Sequence, residues 1–158
     1  MVVHVHFDGR ADLLLQLARY VDEKNDIRGT LAPVEAAQNG TELLARLAGF
    51  LADYNPRIHA VVRMSDTLRH GDPDIEQAWR DRPLAWRAGS RQVGARLHVW
   101  KELAPEWTVE TARDWITAMS SVRLWEELVM DLAWSKRKFV KHMTTNLQHA
   151  LLRDPPVR

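Results

Sequence analysis

Apolar residues recur at steps of three and four along most of the chain. No stretch alternates apolar and polar with a β-branched bias long enough to make a strand. The pattern predicts an all-α protein, a helical bundle of about six to seven helices. Asp8 is placed to cap a first helix over roughly Gly9 to Lys24. Asp12 sits in its first turn, Leu14, Leu17, Ala18 and Val21 share one face, and Phe7 can staple it from just outside the cap. Residues Asn25 to Gly40, with Gly29, Pro33 and Gly40, read as a linker holding at most a helical turn. Thr41 then caps a helix with Leu43, Leu44, Leu47, Phe50, Leu51 and Tyr54 on a broad apolar face. Asn55-Pro56 ends that helix and opens another, the asparagine as cap and the proline at the first helical position. Ile58, Val61, Val62 and Leu68 carry it on until Gly71. Asp72-Pro73 repeats the device before a long segment through Trp79, Trp86, Val93 and Leu97, which Pro83 should kink or divide.

The last third is the most periodic. Thr108 caps a run free of glycine and proline from Val109 to about Leu132, 24 residues that would span about 36 Å as one helix. Ser135 caps a final helix with Phe139, Val140, Met143, Leu147, Ala150 and Leu151 on one face, and Asp154-Pro155-Pro156 ends it. Two long amphipathic helices in succession predict an antiparallel hairpin, and its leftover apolar surface is a natural dimer face. Val122, Trp125, Leu128, Trp134, Phe139, Met143, Leu147 and Leu151 are the residues expected there.

Composition narrows the class. At 158 residues the chain makes one domain, large enough to bury about 68–70% of its unfolded surface. A composition of 46% hydrophobic and 27% charged residues is ordinary for a soluble protein. No apolar run approaches the ~20 residues of a membrane span and no leader precedes the first helix, so a cytoplasmic protein without membrane contact is expected. The lack of cysteine excludes disulfides, thiolate metal sites and cysteine nucleophiles. A net charge of +1 leaves no electrostatic footprint for DNA.

Seven tryptophans are the candidate chemistry. Trp79 and Trp86 share a face if the helix keeps its register past Pro83. With Phe50, Tyr54, Met64, Trp115 and Met119 they are candidates to wall an apolar cavity, with His59 and Arg87 as polar groups. The competing reading has these rings simply filling the core or the dimer seam. Lys136-Arg137-Lys138 opens the last helix with charge that opposes its dipole, and reads as a solvated face. Asn39-Gly40-Thr41 has the form of a glycosylation acceptor, which Thr41 as a helix cap explains. His4 and His6, two apart at a helix end, diverge, so no metal site is expected. There is no phosphate-cradling glycine loop, no His-Glu-x-x-His pair and no nucleophile elbow, so neither a cofactor nor an enzyme is expected.

The opening Val2-Val3-His4-Val5-His6-Phe7-Asp8-Gly9-Arg10-Ala11-Asp12-Leu13-Leu14 resembles the TetR family of bacterial transcriptional regulators, where the recognition helix ends and the fourth helix begins. Thr108-Val109-Glu110-Thr111-Ala112 through Leu124-Trp125-Glu126-Glu127-Leu128-Val129 is similar to one of that family's last two helices. Ala133-Trp134-Ser135, leading into Phe139-Val140 and Ala150-Leu151-Leu152, is similar to the other. In the family these two pair across a dimer as a four-helix bundle. The resemblance implies that residues 1–24 are the end of a recognition helix plus a connecting helix, 25–40 a linker, and 41–154 a ligand-sensing and dimerisation domain. It implies a homodimer and a small apolar or aromatic ligand. Through the connecting helix that ligand would shift recognition helices that must match half-sites ~34–36 Å apart. It implies that His4, His6 and Arg10 touch the DNA backbone in a full-length form. The family begins with three helices of a helix-turn-helix, nearly all absent here, so operator DNA is expected as a partner only if they are restored. The function so implied is the sensing part of a small-molecule-responsive repressor. The alternative is a stand-alone helical small-molecule-binding or interaction protein with no DNA role.

Overall fold

The computed structural model describes residues 16, 27–68 and 73–156. Among them are six α-helices and no strand. They are α1 (Ile27–Glu35), α2 (Gly40–Leu68), α3 (Pro73–Val99), α4 (Val109–Met119), α5 (Val122–Trp125) and α6 (Lys136–Leu151). A π-helical segment, Glu126–Asp131, continues α5. His4, His6, Arg10 and, apart from Gln16, the helix expected over Gly9 to Lys24 lie outside the described residues. No helix among the described residues is long and apolar enough to cross a membrane.

The central helix is α2: α1, α3, α5 and α6 all pack on it, while α4 packs on α3. It runs unbroken through Pro56, where the sequence predicts two helices. An interior proline loses a hydrogen bond and costs about 3 kcal/mol. Burial on both flanks offsets this. Leu51, Ala52 and Tyr54 precede the proline and Ile58, Val61 and Val62 follow it, all in the core. Each large apolar side chain contributes about 1.5–3 kcal/mol when buried, so a break that swung either flank outward would cost more than the missing bond. Asn39, rather than Thr41, caps α2: its Oδ1 accepts from the Glu42 amide at 2.8 Å, and Glu42 Oε2 accepts from the Gln38 amide at 2.7 Å.

Residues 25–40 are more than a linker, because α1 forms there in spite of Gly29 and Pro33. Val34 is buried and Ile27 and Leu31 pack against the core. Arg96 of α3 holds the far end of α1. Its Nη1 donates to the Val34 carbonyl at 2.9 Å, and its Nη2 donates to the carbonyls of Glu35 at 3.2 Å and Ala37 at 2.6 Å. A guanidinium there satisfies carbonyls at the helix end and complements the negative end of its dipole. Arg46 of α2 adds a bond from Nη1 to the Pro33 carbonyl at 2.6 Å.

The segment that Pro83 is expected to kink or divide is not divided: it is one helix, α3. It ends in a Schellman turn: the Glu102 amide donates to the Leu97 carbonyl at 2.9 Å and the Lys101 amide to that of His98 at 3.0 Å, with Lys101 at φ 61°.

The C-terminal third departs furthest from expectation. Thr108 caps α4 as predicted, in a reciprocal capping box with Thr111. The run then stops at Met119 instead of reaching Leu132. Ser121 starts α5, its hydroxyl accepting from the Arg123 amide at 3.2 Å, and the π-helical segment closes with Ala133 at φ 53°. Ser135 caps α6 as expected, accepting from the Lys138 amide at 3.2 Å. The expected hairpin is absent, because α6 lies chiefly along α2. Its end is pinned to the α3–α4 turn by a bridge between Leu103 and Leu152 and by the Arg153 amide donating to the Glu102 carbonyl at 2.8 Å.

Five of the eight residues expected at a dimer face, Phe139, Met143, Leu147, Leu151 and Trp125, belong to the core of the single chain, while Val122, Leu128 and Trp134 pack only partly buried against it. An apolar stripe has the same period whether it meets its own chain or a second copy. Here α2 already covers it.

Candidate functional site

Between α1, α2, α3 and the α4–α5 junction lies a cavity of about 570 Å³. Ligand pockets usually fall between about 300 and 1,000 Å³. Helix α1 contributes Leu31 and Val34, α2 contributes Phe50, Tyr54, Asn55 and Ile58, and α3 contributes Trp86, Ser90 and Val93. The opposite wall is Ile116, Ser120 and Val122.

One wall is a near-parallel set of rings. Phe50 and Tyr54, one helical turn apart on α2, stack at 5.2 Å and 15°. Trp86 of α3 lies 6.1 Å from Phe50 and 6.0 Å from Tyr54, at 25° and 11°. The near-parallel arrangement makes this wall aromatic and apolar. Three of the eight residues expected at a ligand site, Phe50, Tyr54 and Trp86, therefore line the cavity together. Trp79 falls in the part of α3 whose side chains lie outside the described residues.

The remaining four lie elsewhere. Trp115 pairs with Trp107 at 5.7 Å, and Trp107 Nε1 donates to the Ala150 carbonyl at 2.6 Å, which ties this second aromatic cluster to α6. Met119 packs partly buried against the core, and Met64 is exposed on α2. His59 turns to the π-helical segment. Its ring sits 5.5 Å from that of Trp125, and its Nε2 is 3.0 Å from Glu126 Oε1 without the angle of a hydrogen bond. Arg63 Nε reaches the same carboxylate oxygen at 3.3 Å, and Arg123 Nη2 donates to Asp66 Oδ2 at 2.9 Å. This polar seam joins α2 to α5 beside the cavity. Arg87 pairs with Asp114 at 3.4 Å on the surface.

The polar part of the lining is not legible in the sequence, where Asn55 reads as a helix cap and Ser120 as the middle of a long helix. Both are buried, and neither side chain has a hydrogen-bond partner among the described residues. Helix α1 is not legible either: Ile27, Leu31 and Val34 stand at helical spacing, but Gly29 and Pro33 argue against a helix.

The cavity thus presents stacking surface, aliphatic walls and neutral polar groups. Arg96 and Arg123, which border it, are engaged, the first with the end of α1 and the second with Asp66, and Glu35 adds a carboxylate to the lining. Among the described residues no group of three or more histidine or acidic side chains is placed to hold a metal. Comparison with family models, curated proteins and solved structures finds no match to the chain.

Proposed function

We propose that this bundle binds a small, largely apolar or aromatic molecule in the cavity walled by Phe50, Tyr54 and Trp86. In the same proposal it is the ligand-sensing, homodimerising part of a TetR-like transcriptional regulator. The observation that carries ligand binding is the cavity itself, about 570 Å³ behind a flat aromatic wall. The regulator role is supported by the sequence resemblance at both ends of the chain. Operator DNA enters only with the helices of a helix-turn-helix in front of the bundle. The ligand acts there through its difference in affinity for two helix arrangements.

A second reading, a stand-alone helical binding protein without a DNA role, is favoured by one observation. The stripe Phe139, Met143, Leu147 and Leu151, which the resemblance assigns to a dimer, is buried in the chain's own core.

The ligand reading is tested with N-phenyl-1-naphthylamine, a neutral dye that brightens in apolar surroundings. The expected result is saturable one-to-one binding to the wild type, lost in Ser90→Trp, whose indole fills the cavity while the helical melt persists. A folded wild type that shows no saturable binding would end this reading. Sedimentation at micromolar concentration tests the regulator role in one direction: a strict monomer would end it, whereas a dimer is compatible with both readings.

A further inference from the structure

We propose that the outer face of α6 and the turn in front of it form a docking surface for an anionic membrane, which they touch from one side. The contact needs no spanning helix, and none among the described residues is long and apolar enough to be one. Helix α6 carries Lys136, Arg137, Lys138 and Lys141, together with His142 and His149, and no acid. All six residues are exposed. On a chain of net charge +1 this is a local excess of cations. Lys136 pairs with Asp53, whereas Arg137 and Lys141 make no ion pair among the described residues.

The turn supplies the apolar half of the surface. Met130 and Leu132 are 58% and 60% exposed, and the chain turns just past them at Ala133, with φ 53°. Large apolar side chains held out from a turn make a projection, which suits a soft plane better than a rigid groove. Trp134 joins this tip to the charges. Lys138 Nζ lies 4.4 Å from the centre of its ring, and the His142 ring is 5.2 Å away. The tip therefore stands beside the cations at the start of α6.

Charge and apolar surface together select the partner. The phosphates of a nucleic acid would engage the cations and leave Met130 and Leu132 in water. An anionic bilayer meets both, with the cations at its headgroups and the two apolar side chains at the boundary of the acyl layer. Each lysine or arginine near such a surface contributes about fivefold in affinity. Glu127 and Asp131, exposed on the π-helical segment beside the tip, oppose the anionic headgroups and keep the binding reversible.

The test is co-sedimentation of the whole chain with vesicles of phosphatidylcholine, alone or mixed with phosphatidylglycerol. The expected result is binding to the mixed vesicles only, weakened as salt is raised. Arg137→Glu together with Lys141→Glu should weaken it ~25-fold or more. Leu132→Asp should weaken it ~10-fold. The helical melt should persist in both variants, because every altered residue is exposed. Should Leu132→Asp not fold, Met130→Ser asks the same question. A folded wild type that ignores the mixed vesicles, or binds both kinds equally, would overturn the proposal. So would charge-reversed protein that binds as tightly as the wild type. Binding lost on charge reversal but untouched by Leu132→Asp would overturn it in favour of a purely electrostatic partner such as a nucleic acid. A wild type that ignores vesicles yet forms a dimer that Leu132→Asp dissolves would give the surface to a second copy instead.

Discussion

Lys101 and Ala133 are non-glycine residues with positive φ, and each ends a helical stretch. An L-residue in that conformation costs about 1–2 kcal/mol that glycine avoids. The Lys101 side chain is exposed, so its removal forfeits little. Lys101→Gly is therefore expected to raise stability by about 1 kcal/mol, seen as a rise of roughly 2–4 °C in the melting temperature. An unchanged or lowered melt would count against the Schellman geometry. The opposite case is Gly40, where an added Cβ would lie 2.5 Å from Glu102 Oε2, 2.6 Å from Leu152 Cδ2 and 2.8 Å from Leu97 Cδ2. Its amide donates to Glu102 Oε2 at 2.6 Å, so a residue that reads as a loop marker is a packing requirement where three segments meet.

Helix ends were more legible than helix continuity. Thr108 and Ser135 act as caps because a hydroxyl one residue ahead of an amphipathic run has a local use. Pro56 misled because asparagine followed by proline has the same local appearance at a helix start and inside a helix held by its neighbours. A substitution separates the two. In a continuous α2, Pro56→Ala restores an interior hydrogen bond and removes a ring clash worth about 3 kcal/mol, less about 0.4–1 kcal/mol for a freer unfolded chain. A net gain near ~2 kcal/mol is expected in urea unfolding. At the first position of a separate helix the same change would be neutral or slightly destabilising. The Ser120-Ser121 break between α4 and α5 is the converse. Nothing in the period of the run marks it, and the second serine's bond to the Arg123 amide becomes visible only once the chain has turned.

The stripe on α6 decides how the whole bundle holds together. Phe139 is 1% exposed in a single chain, so a charge there meets the chain's own core. Phe139→Asp is expected to abolish the cooperative helical melt, and Phe139→Ala to cost about 3–5 kcal/mol. A dimer face would answer differently. Phe139→Asp would then give a folded species of half the mass on light scattering, and that result would return α6 to an interface. The three cavity residues foreseen from the sequence, Phe50, Tyr54 and Trp86, lie on the two longest helices, where period alone sets the facing side. His59, Met64, Trp115 and Met119 were misplaced because a bundle has several inward directions, and a pattern of apolar spacing does not number them.

Local chemistry along the chain was enough to establish an all-helical protein, the caps at Thr108 and Ser135 and the apolar stripe of α6. Period, capping and proline geometry act within a few residues and need no partner. Folding settled what depends on the partner. It fixed the unbroken α2, the formation of α1 under Arg96, the turn at Ser120-Ser121 and the placing of α6 on α2. It also left Asn55 buried and unbonded at the cavity wall. Those outcomes follow from which surfaces meet, and burial against a neighbour outweighs the local preference of a glycine, a proline or an asparagine.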